Sequence, residues 1–340
     1  MSLDSVQRVE QDRGFDLIAD EIGQAATIAL CAHTDPDGDA LGSVLALAHA
    51  IEARWPAKEV VCLTADDDEI PAIYRFLPGS ERFIAASAYE GAPDLFICVD
   101  LSAPHRLENA EAVFDRSARK AVIDHHPGSS LESVVGVIRP SAAAAGIIVA
   151  EFIDHLGIEL DADMATCLFC AIVTDTGRFQ YQNADGEAFS VASKLVEAGA
   201  SPSDIALHVY QSDRLAYLYL ESKVMGRIIT FSDGRIAYSY ATLADIKASG
   251  VAVSECDGLV DVVRRVSGAD VIMFLKQVSE NQVRGNLRSK SSLDISTVAR
   301  ALGGGGHPAA SGFPFEGTVD EALETSLPLL RALVESGETA

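Results

Sequence analysis

The chain has 340 residues, of which 48% are hydrophobic and 22% charged, and its formal net charge is −24. This length favours two domains, and this composition is typical of a soluble globular enzyme, which excludes a disordered or fibrous chain. The acidic balance argues against long duplex nucleic acid as a partner, because contact with many phosphates requires a basic surface.

No apolar run approaches the roughly 18 residues that a membrane-spanning helix needs, and no signal peptide opens the chain. The sequence therefore predicts a cytoplasmic protein without a membrane partner. Six cysteines are too few and too scattered for a disulfide framework, and five of them lie in apolar runs. Cys167 and Cys170 form a CxxC pair, for which we expect core packing rather than zinc binding or redox chemistry.

Short strand-like runs alternate with amphipathic helical stretches through the first half of the chain. The strand-like runs are TIALCA, EVVCL, DLFICVD and KAVIDHH, which begin at residues 27, 59, 94 and 120. This alternation predicts an α/β fold with a parallel sheet and crossover helices. Because ligands bind outside the carboxyl ends of parallel strands, polar residues that follow these runs are expected to converge in one crevice.

The motif HTDPDGDALGS, residues 33–43, follows the first of these runs. Asp37 and Asp39 flank a glycine in a predicted turn, and we expect a helix to open near Gly42 and Ser43. Taken alone, the pattern suits a turn with helix-capping acids as well as it suits a metal site.

Three later apolar runs also end in candidate metal ligands. These are Asp100, then Asp124 with His125 and His126, and finally Asp175. Four such clusters favour a metal site over chance, and carboxylates with imidazoles but no thiolate favour an ion such as Mn²⁺ over structural zinc. The candidate ligands supply enough oxygen atoms to hold two metal ions. Two such ions would generate hydroxide from a bound water, for in-line attack on a phosphorus atom.

Residues 201–228 open with helix-start signals at Ser201, Pro202 and Ser203 and continue with helical apolar spacing. We interpret the early part of this segment as the connection between two domains. The predicted division is a catalytic domain at 1–195, a helical linker at 196–220 and a substrate-binding domain at 221–340. An exposed apolar helix here suits a homodimer and suits packing between domains equally well.

The second domain is predicted to be a smaller α/β unit with a mixed sheet. A hairpin turns at Asp233-Gly234, a helix lies near GLVDVVRRV, and strands are expected at ADVIMFLKQV and QVRGNLRS. Four consecutive glycines at 303–306 give an anion access to backbone N–H groups, and HPAASG is expected to begin a helix that favours negative charge. Arg288 and His307 are the candidate clamp for a terminal phosphate of the substrate, beside Gly305 and Gly306.

Together these motifs resemble the DHH superfamily of phosphoesterases. HTDPDGDALGS at 33–43 resembles the first motif of this superfamily, and Asp100 resembles its second motif. DHH at 124–126 is similar to the signature motif of the superfamily, and TDTG at 174–177 is similar to its fourth motif. GGGGHPAASG at 303–312 is similar to the motif of the DHH-associated C-terminal domain. The resemblance covers most of the chain and is strongest to the bacterial nanoRNase and pAp-phosphatase group (NrnA-like).

The resemblance implies two Mn²⁺ ions in the first domain, with Mg²⁺ or Co²⁺ as substitutes. It implies that one ion is held by His33, Asp37 and Asp100. It implies that the other is held by Asp39, Asp100, His125 and Asp175, so that Asp100 bridges the two ions. Asp124 would orient a histidine, and His126 would lie against the scissile phosphate. By the same resemblance, Arg178 would reach the substrate.

The implied activity is Mn²⁺-dependent hydrolysis of short oligoribonucleotides and linear dinucleotides, such as pGpG and pApA, to mononucleotides. 3′-Phosphoadenosine 5′-phosphate (pAp) would be converted to AMP, with the active site in the cleft between the domains. Three alternatives share parts of the pattern: a RecJ-like single-strand exonuclease, a pyrophosphatase or cyclic-dinucleotide phosphodiesterase, and a non-catalytic nucleotide-binding module. The excess of acidic residues and the aromatic content of 6% disfavour the exonuclease, because a groove for single strands needs basic and aromatic side chains. Competent side chains at every ligand position disfavour the binding module.

Overall fold

The computed structural model of the protein describes residues 3–101, 103–128, 130–131 and 134–337. The chain divides into two compact units, and the boundary falls between Ser212 and Asp213. This boundary lies inside the segment proposed as a linker, 196–220, whose own limits stay a prediction.

The first unit contains a six-stranded sheet. Its strands are β1 Thr27–Cys31, β2 Glu59–Thr64, β3 Phe83–Ala85, β4 Leu95–Val99, β5 Arg119–Asp124 and β6 Val135–Ile138. Every neighbouring pair is parallel, and the order is β3-β2-β1-β4-β5-β6. The predicted α/β fold with a parallel sheet is therefore confirmed, while the short edge strands β3 and β6 add to the four strands expected from the sequence. The order changes direction between β1 and β4, which is where such sheets bind ligands.

Helices cover both faces of this sheet. They are α1 Leu3–Gln24, α2 Gly38–Arg54, α3 Glu111–Arg116, α4 Ala145–His155, α5 Ala162–Asp175, α6 Gly186–Glu197 and α7 Pro202–Tyr210. Alternate residues of a strand point to opposite faces, so Ile28 and Leu30 of β1 enter the larger buried cluster while Ala29 enters the smaller one. All six cysteines are buried, and Cys167 and Cys170 pack in the larger cluster, as predicted for this pair.

Helix α2 begins at Gly38, so the start expected near Gly42 is wrong. Asp37 caps this helix, since its Oδ1 accepts hydrogen bonds from the backbone N–H groups of Asp39 and Ala40, each at 3.0 Å. A carboxylate at this position satisfies N–H groups that the first turn leaves without a partner. Asp39 therefore lies inside the first helical turn, which fixes the direction of its side chain.

The second unit contains a six-stranded mixed sheet. Its strands are β7 Ile229–Phe231, β8 Ile236–Ala241, β9 Val271–Ser279, β10 Gln282–Ser289, β11 Gly305–Gly306 and β12 Ala310–Glu316. Its helices are α8 Leu215–Gly226, α9 Leu243–Ser249, α10 Val260–Arg264, α11 Ser296–Ala301 and α12 Val319–Ser336. The order is β11-β12-β10-β9-β8-β7, in which β8 and β9 are parallel and the other pairs antiparallel. The predicted mixed sheet is confirmed.

The segment HPAASG does not begin a helix, which corrects the sequence expectation. Gly305 and Gly306 form β11 against β12, and a tight turn joins these strands because His307 N–H donates to the Ala310 carbonyl at 2.8 Å. Gly306 has a φ of +128°, and a side chain there would meet the backbone of Ala310. These glycines therefore allow two strands to approach closely, and the glycine run carries no helix N-terminus.

Among the described residues, no helix combines the length and the apolar character needed to cross a membrane.

Candidate metal centre

The first unit gathers the predicted ligands at the carboxyl edge of its parallel sheet. One ligand atom from each of His33, Asp37 and Asp100 lies within 4.8 Å of the other two. The same holds for Asp39, His125 and Asp175. These residues come from separate elements: the segments after β1, β4 and β5, the first turn of α2, and the end of α5.

The imidazoles of His33 and His125 are oriented by backbone carbonyl groups. Nδ1 of His33 lies 2.7 Å from the Thr34 oxygen, and Nδ1 of His125 lies 3.1 Å from the Ala142 oxygen. A carbonyl oxygen only accepts, so each Nδ1 carries the hydrogen and donates. Each Nε2 then faces carboxylates, with His33 Nε2 at 3.5 Å from Asp100 Oδ2. This is the arrangement that proteins use for metal-binding histidines.

Asp39 is held by the N-terminus of α4. Its Oδ2 accepts a hydrogen bond from Ala145 N–H at 2.6 Å, and its Oδ1 accepts from Gly146 N–H at 2.9 Å and from Ser43 Oγ at 3.0 Å. Asp39 is 1% exposed, and its Oδ2 lies 3.6 Å from His125 Nε2. The helix N-terminus favours the charged form of this carboxylate and fixes both of its oxygens.

Asp100 lies at the centre of the cluster in a left-handed backbone conformation, with a φ of +55°. Its buried Oδ1 lies 3.3 Å from His125 Nε2 and 3.5 Å from His126 Nδ1. This oxygen accepts no hydrogen bond from any residue that the structure describes. An unpartnered buried carboxylate oxygen is costly unless a cation meets it, so the residues fit a divalent metal ion.

The pKa values show that the cluster holds more negative charge than its histidines neutralise. Burial first, and then the charge of Asp100, raise the pKa of Asp39 well above its ordinary value. Burial also raises the pKa of Asp175 to about 6, although His125 opposes the shift. For Asp100, burial acts in the same direction, but the imidazoles of His125 and His33 outweigh it and hold its pKa well below the ordinary value. Cations bound among these groups would relieve this repulsion.

Asp124 and His126 form a carboxylate–imidazole pair beside the cluster. Asp124 is fully buried, and its Oδ1 accepts backbone hydrogen bonds from His125 at 2.9 Å and from His126 at 3.2 Å. The same oxygen lies 2.8 Å from His126 Nδ1. A carboxylate in this position fixes the ring orientation and favours the hydrogen on Nδ1, as expected for a positioning residue.

Arg178 lies in a strained loop directly after Asp175. Gly177, Arg178 and Phe179 have φ values of +53°, +64° and +58°, so three consecutive residues are left-handed. The guanidinium of Arg178 lies 4.7 Å from the centroid of the Tyr210 ring. Backbone strain of this kind is typical of functional loops, but the structure gives Arg178 an aromatic partner within the first unit.

Two residues that support the site were missed by the sequence reasoning. Asn183 Nδ2 donates to the backbone oxygens of Asp175 at 3.1 Å and Ala143 at 3.0 Å. Asp66 Oδ2 accepts from Asp35 N–H at 2.8 Å and from Thr34 Oγ1 at 3.0 Å. Asp66 follows β2 at the same edge of the sheet, so the rule that found the other acids would also have found it. Asn183 carries no comparable signal.

The predicted phosphate-binding residues other than Arg178 lie in the second unit. Arg288 is on β10 opposite Ala310 of β12, and His307 lies in the turn between β11 and β12. Arg288 Nη1 donates to the Leu287 oxygen at 2.9 Å, while its buried Nε finds no acceptor among the described residues. Gly305 and Gly306 are exposed.

Two family models match the chain. The model of the DHH family, N-terminal domain, matches residues 27–172, and the model of the DHHA1 domain matches residues 233–336. The first range contains all the candidate metal ligands except Asp175, which lies just beyond it. The second range contains the predicted phosphate-binding residues Arg288 and His307.

Relatives match the chain over most of its length. The bifunctional oligoribonuclease and PAP phosphatase NrnA of Thermus thermophilus is 30% identical over an alignment of 313 residues, and the match covers 89% of this chain and 89% of that protein. The protein of the same name from Bacillus subtilis is 27% identical over 84% of this chain and 88% of its own length. The crystal structure of an exopolyphosphatase-related protein from Bacteroides fragilis is 24% identical, with a TM-score of 0.86 over 95% of this chain and 98% of that one. This structural likeness shows the fold.

Proposed function

Because the chain belongs to the DHH family, we propose that it hydrolyses short oligoribonucleotides and linear dinucleotides, such as pGpG and pApA, to mononucleotides, and pAp to AMP. It is a hydrolase that acts on phosphoester bonds. The observation that carries the proposal is the gathering of two ligand groups, His33 with Asp37 and Asp100, and Asp39 with His125 and Asp175. The oligoribonuclease and PAP phosphatase relatives support the substrate class.

We assign one metal ion to the first ligand group and a second to the other, with Asp100 adjacent to both. Mn²⁺ suits this mixture of carboxylates and imidazoles, and Mg²⁺ or Co²⁺ are substitutes. When bound, such ions activate water and neutralise negative charge on the phosphate. The protein's own part is to hold the Nε2 atoms of His33 and His125 toward the carboxylates, which the carbonyls of Thr34 and Ala142 achieve.

His126 acts on the scissile phosphate in this proposal. Its Nδ1–H donates to Asp124 Oδ1, so Nε2 is the ring atom that meets a phosphate oxygen. Asp124 fixes the orientation of the ring, so that His126 stabilises the scissile phosphate or assists the departing oxygen.

Arg288 binds the terminal phosphate of the substrate, together with His307 and the N–H groups of Gly305 and Gly306. A guanidinium binds a phosphate with two parallel hydrogen bonds, and the Nε of Arg288 has no acceptor among the described residues. A clamp for one terminal phosphate suits short substrates better than long strands. Arg178 is a second phosphate-binding candidate, and binding there would require its guanidinium to leave the Tyr210 ring.

The proposal is tested by following product release with Mn²⁺ and then with EDTA. The substrates are pGpG, pApA, pAp and a 24-nucleotide single strand. We expect fast, EDTA-sensitive cleavage of the short substrates and little cleavage of the long strand. Preference for the long strand would support an exonuclease instead, and silence on every substrate would favour a pyrophosphatase or a binding module.

A further inference from the structure

A buried lysine holds an exposed carboxylate in the second unit. Lys276 of β9 is 1% exposed, and its Nζ donates to Asp257 Oδ2 at 2.7 Å and to the Val253 oxygen at 3.3 Å. Asn286 of β10 donates from Nδ2 to Asp257 Oδ1 at 2.8 Å. The side chain of Asp257 is nevertheless 54% exposed. This carboxylate is therefore fixed in direction while it remains open to solvent.

Asn286 and Arg288 share one face of the sheet. The register places Asn286 opposite Phe274 of β9 and Arg288 opposite Ile272, and directly opposed residues lie on the same face. Alternate residues of one strand also share a face, so Arg284 joins them. Along β10, Asn286 therefore lies about 7 Å from Arg284 on one side and from Arg288 on the other. The other face carries Val283 and Leu287, which pack in the cluster that includes α12.

The acceptor capacity that remains on the two oxygens of Asp257 matches the two donors on the Watson–Crick edge of guanine. A carboxylate oxygen has two acceptor directions, and the described residues supply one donor to each oxygen of Asp257. Guanine presents N1–H and an N2 amino group side by side, which together match the two oxygens. Adenine presents one amino group beside the N1 lone pair, and that lone pair would face a carboxylate oxygen. The site therefore discriminates guanine from adenine by the number and order of the hydrogen-bond donors on each base.

We propose that Asp257, positioned by Lys276 and Asn286, selects guanine in the nucleotide whose phosphate lies on Arg288. The inference rests on the proposed function and names the base that this substrate site prefers. Asn286 and Arg288 are two residues apart on β10, about 7 Å, a separation that one nucleotide can bridge between phosphate and base.

The test compares kcat/KM for pGpG and pApA with Mn²⁺ in the native protein and in three variants. We expect the native protein to prefer pGpG about tenfold or more, as for a bidentate base contact. Asp257→Asn keeps one side-chain oxygen that accepts a hydrogen bond from Lys276. It replaces the other oxygen, which would accept from the base, with an amide group that donates. This variant should lose the preference through a higher KM for pGpG, with pApA little changed.

Two further variants separate base selection from folding. Asn286→Ala keeps the ion pair between Asp257 and Lys276 and removes only the orienting amide, so the preference should fall partway. Asp320→Asn removes a charge at the start of α12, on the other face of the sheet, and should leave the preference unchanged. Circular dichroism and the melting temperature of each variant establish that it is folded.

Equal cleavage of pGpG and pApA by the native protein would overturn the inference. So would an Asp257→Asn variant that keeps the preference or that loses activity equally on both substrates, since equal loss indicates a structural role. If the folded native protein with Mn²⁺ cleaves neither pGpG nor pApA, the proposed hydrolysis of dinucleotides fails, and binding of GMP and AMP measured by calorimetry then decides the inference. Tighter binding of GMP that Asp257→Asn abolishes would support it, and equal binding would overturn it.

Discussion

At the residue scale, the candidate metal centre is supported by side chains that do not themselves belong to either ligand group. Asp66 is 9% exposed and binds Thr34 Oγ1 and Asp35 N–H, and the carbonyl of Thr34 in turn orients the ring of His33. Asp35 has a φ of +51°, a conformation that costs a non-glycine residue about 1 kcal/mol or more. Asp66 therefore holds a strained loop in the shape that aims His33.

Replacing Asp66 with alanine should lower Mn²⁺ affinity by about 10-fold to 100-fold, because residues that orient metal ligands contribute this much in other proteins. Calorimetric titration of the native protein and the variant with Mn²⁺ measures the change. Asp68→Ala removes a neighbouring exposed carboxylate and is the matched control. Unchanged affinity in Asp66→Ala, with Mn²⁺ still binding to the native protein, would show that the loop keeps its shape without this contact.

At the element scale, helix ends contribute to stability through charged caps. Asp245 lies in the first turn of α9, where it forms a capping box with Thr242. It also pairs with Arg227 and lies 3.3 Å from Lys223 Nζ. The Arg227 guanidinium, followed by the hydrogen bonds of Thr242, outweighs burial and holds the pKa of Asp245 well below its ordinary value. The charged carboxylate therefore stabilises the folded second unit.

The contribution of Asp245 should depend on pH. A carboxylate with a lowered pKa stabilises the fold above its unfolded-state pKa of about 4, and this contribution disappears as the pH falls toward the folded-state value. Asp245→Asn should therefore lower the free energy of unfolding by about 2 kcal/mol at pH 7 and by progressively less toward pH 3. Urea denaturation across this range measures the difference, with Asp320→Asn as control. A difference that is the same at every pH would contradict the assignment to charge.

The helices and strands also show which structural features can be predicted from the sequence and which cannot. The central strands were predictable because each is a short apolar run that ends in polar residues at one edge of the sheet. The start of α2 was misplaced because Asp37 is both a candidate ligand and a helix cap, and only its contacts with Asp39 and Ala40 reveal the second role. HPAASG was misread because a glycine run suits close strand approach as well as a helix start.

At the scale of the whole molecule, charge is unevenly distributed along the chain. Most of the acidic excess lies in residues 1–220, whereas Arg284 and Arg288 lie together on one strand of the second unit. The candidate metal ligands could be predicted because they follow apolar runs within a recognisable motif. Asp66 follows β2 at the same sheet edge and could have been found by the same rule. Asn183 and Asp257 could not be assigned in this way, since their contacts join residues far apart in sequence that only the fold brings together.

The most direct test of the account is the rate of mononucleotide release from pGpG with Mn²⁺ in the native protein and in Asp100→Asn. Asp100 carries the buried oxygen that accepts no hydrogen bond from a described residue, and it lies beside both ligand groups. We predict that the folded variant binds less Mn²⁺ per chain, measured by elemental analysis, and releases mononucleotide at least about 100-fold more slowly. A folded variant with native metal content and native rate would contradict the assignment of this cluster as the catalytic metal centre.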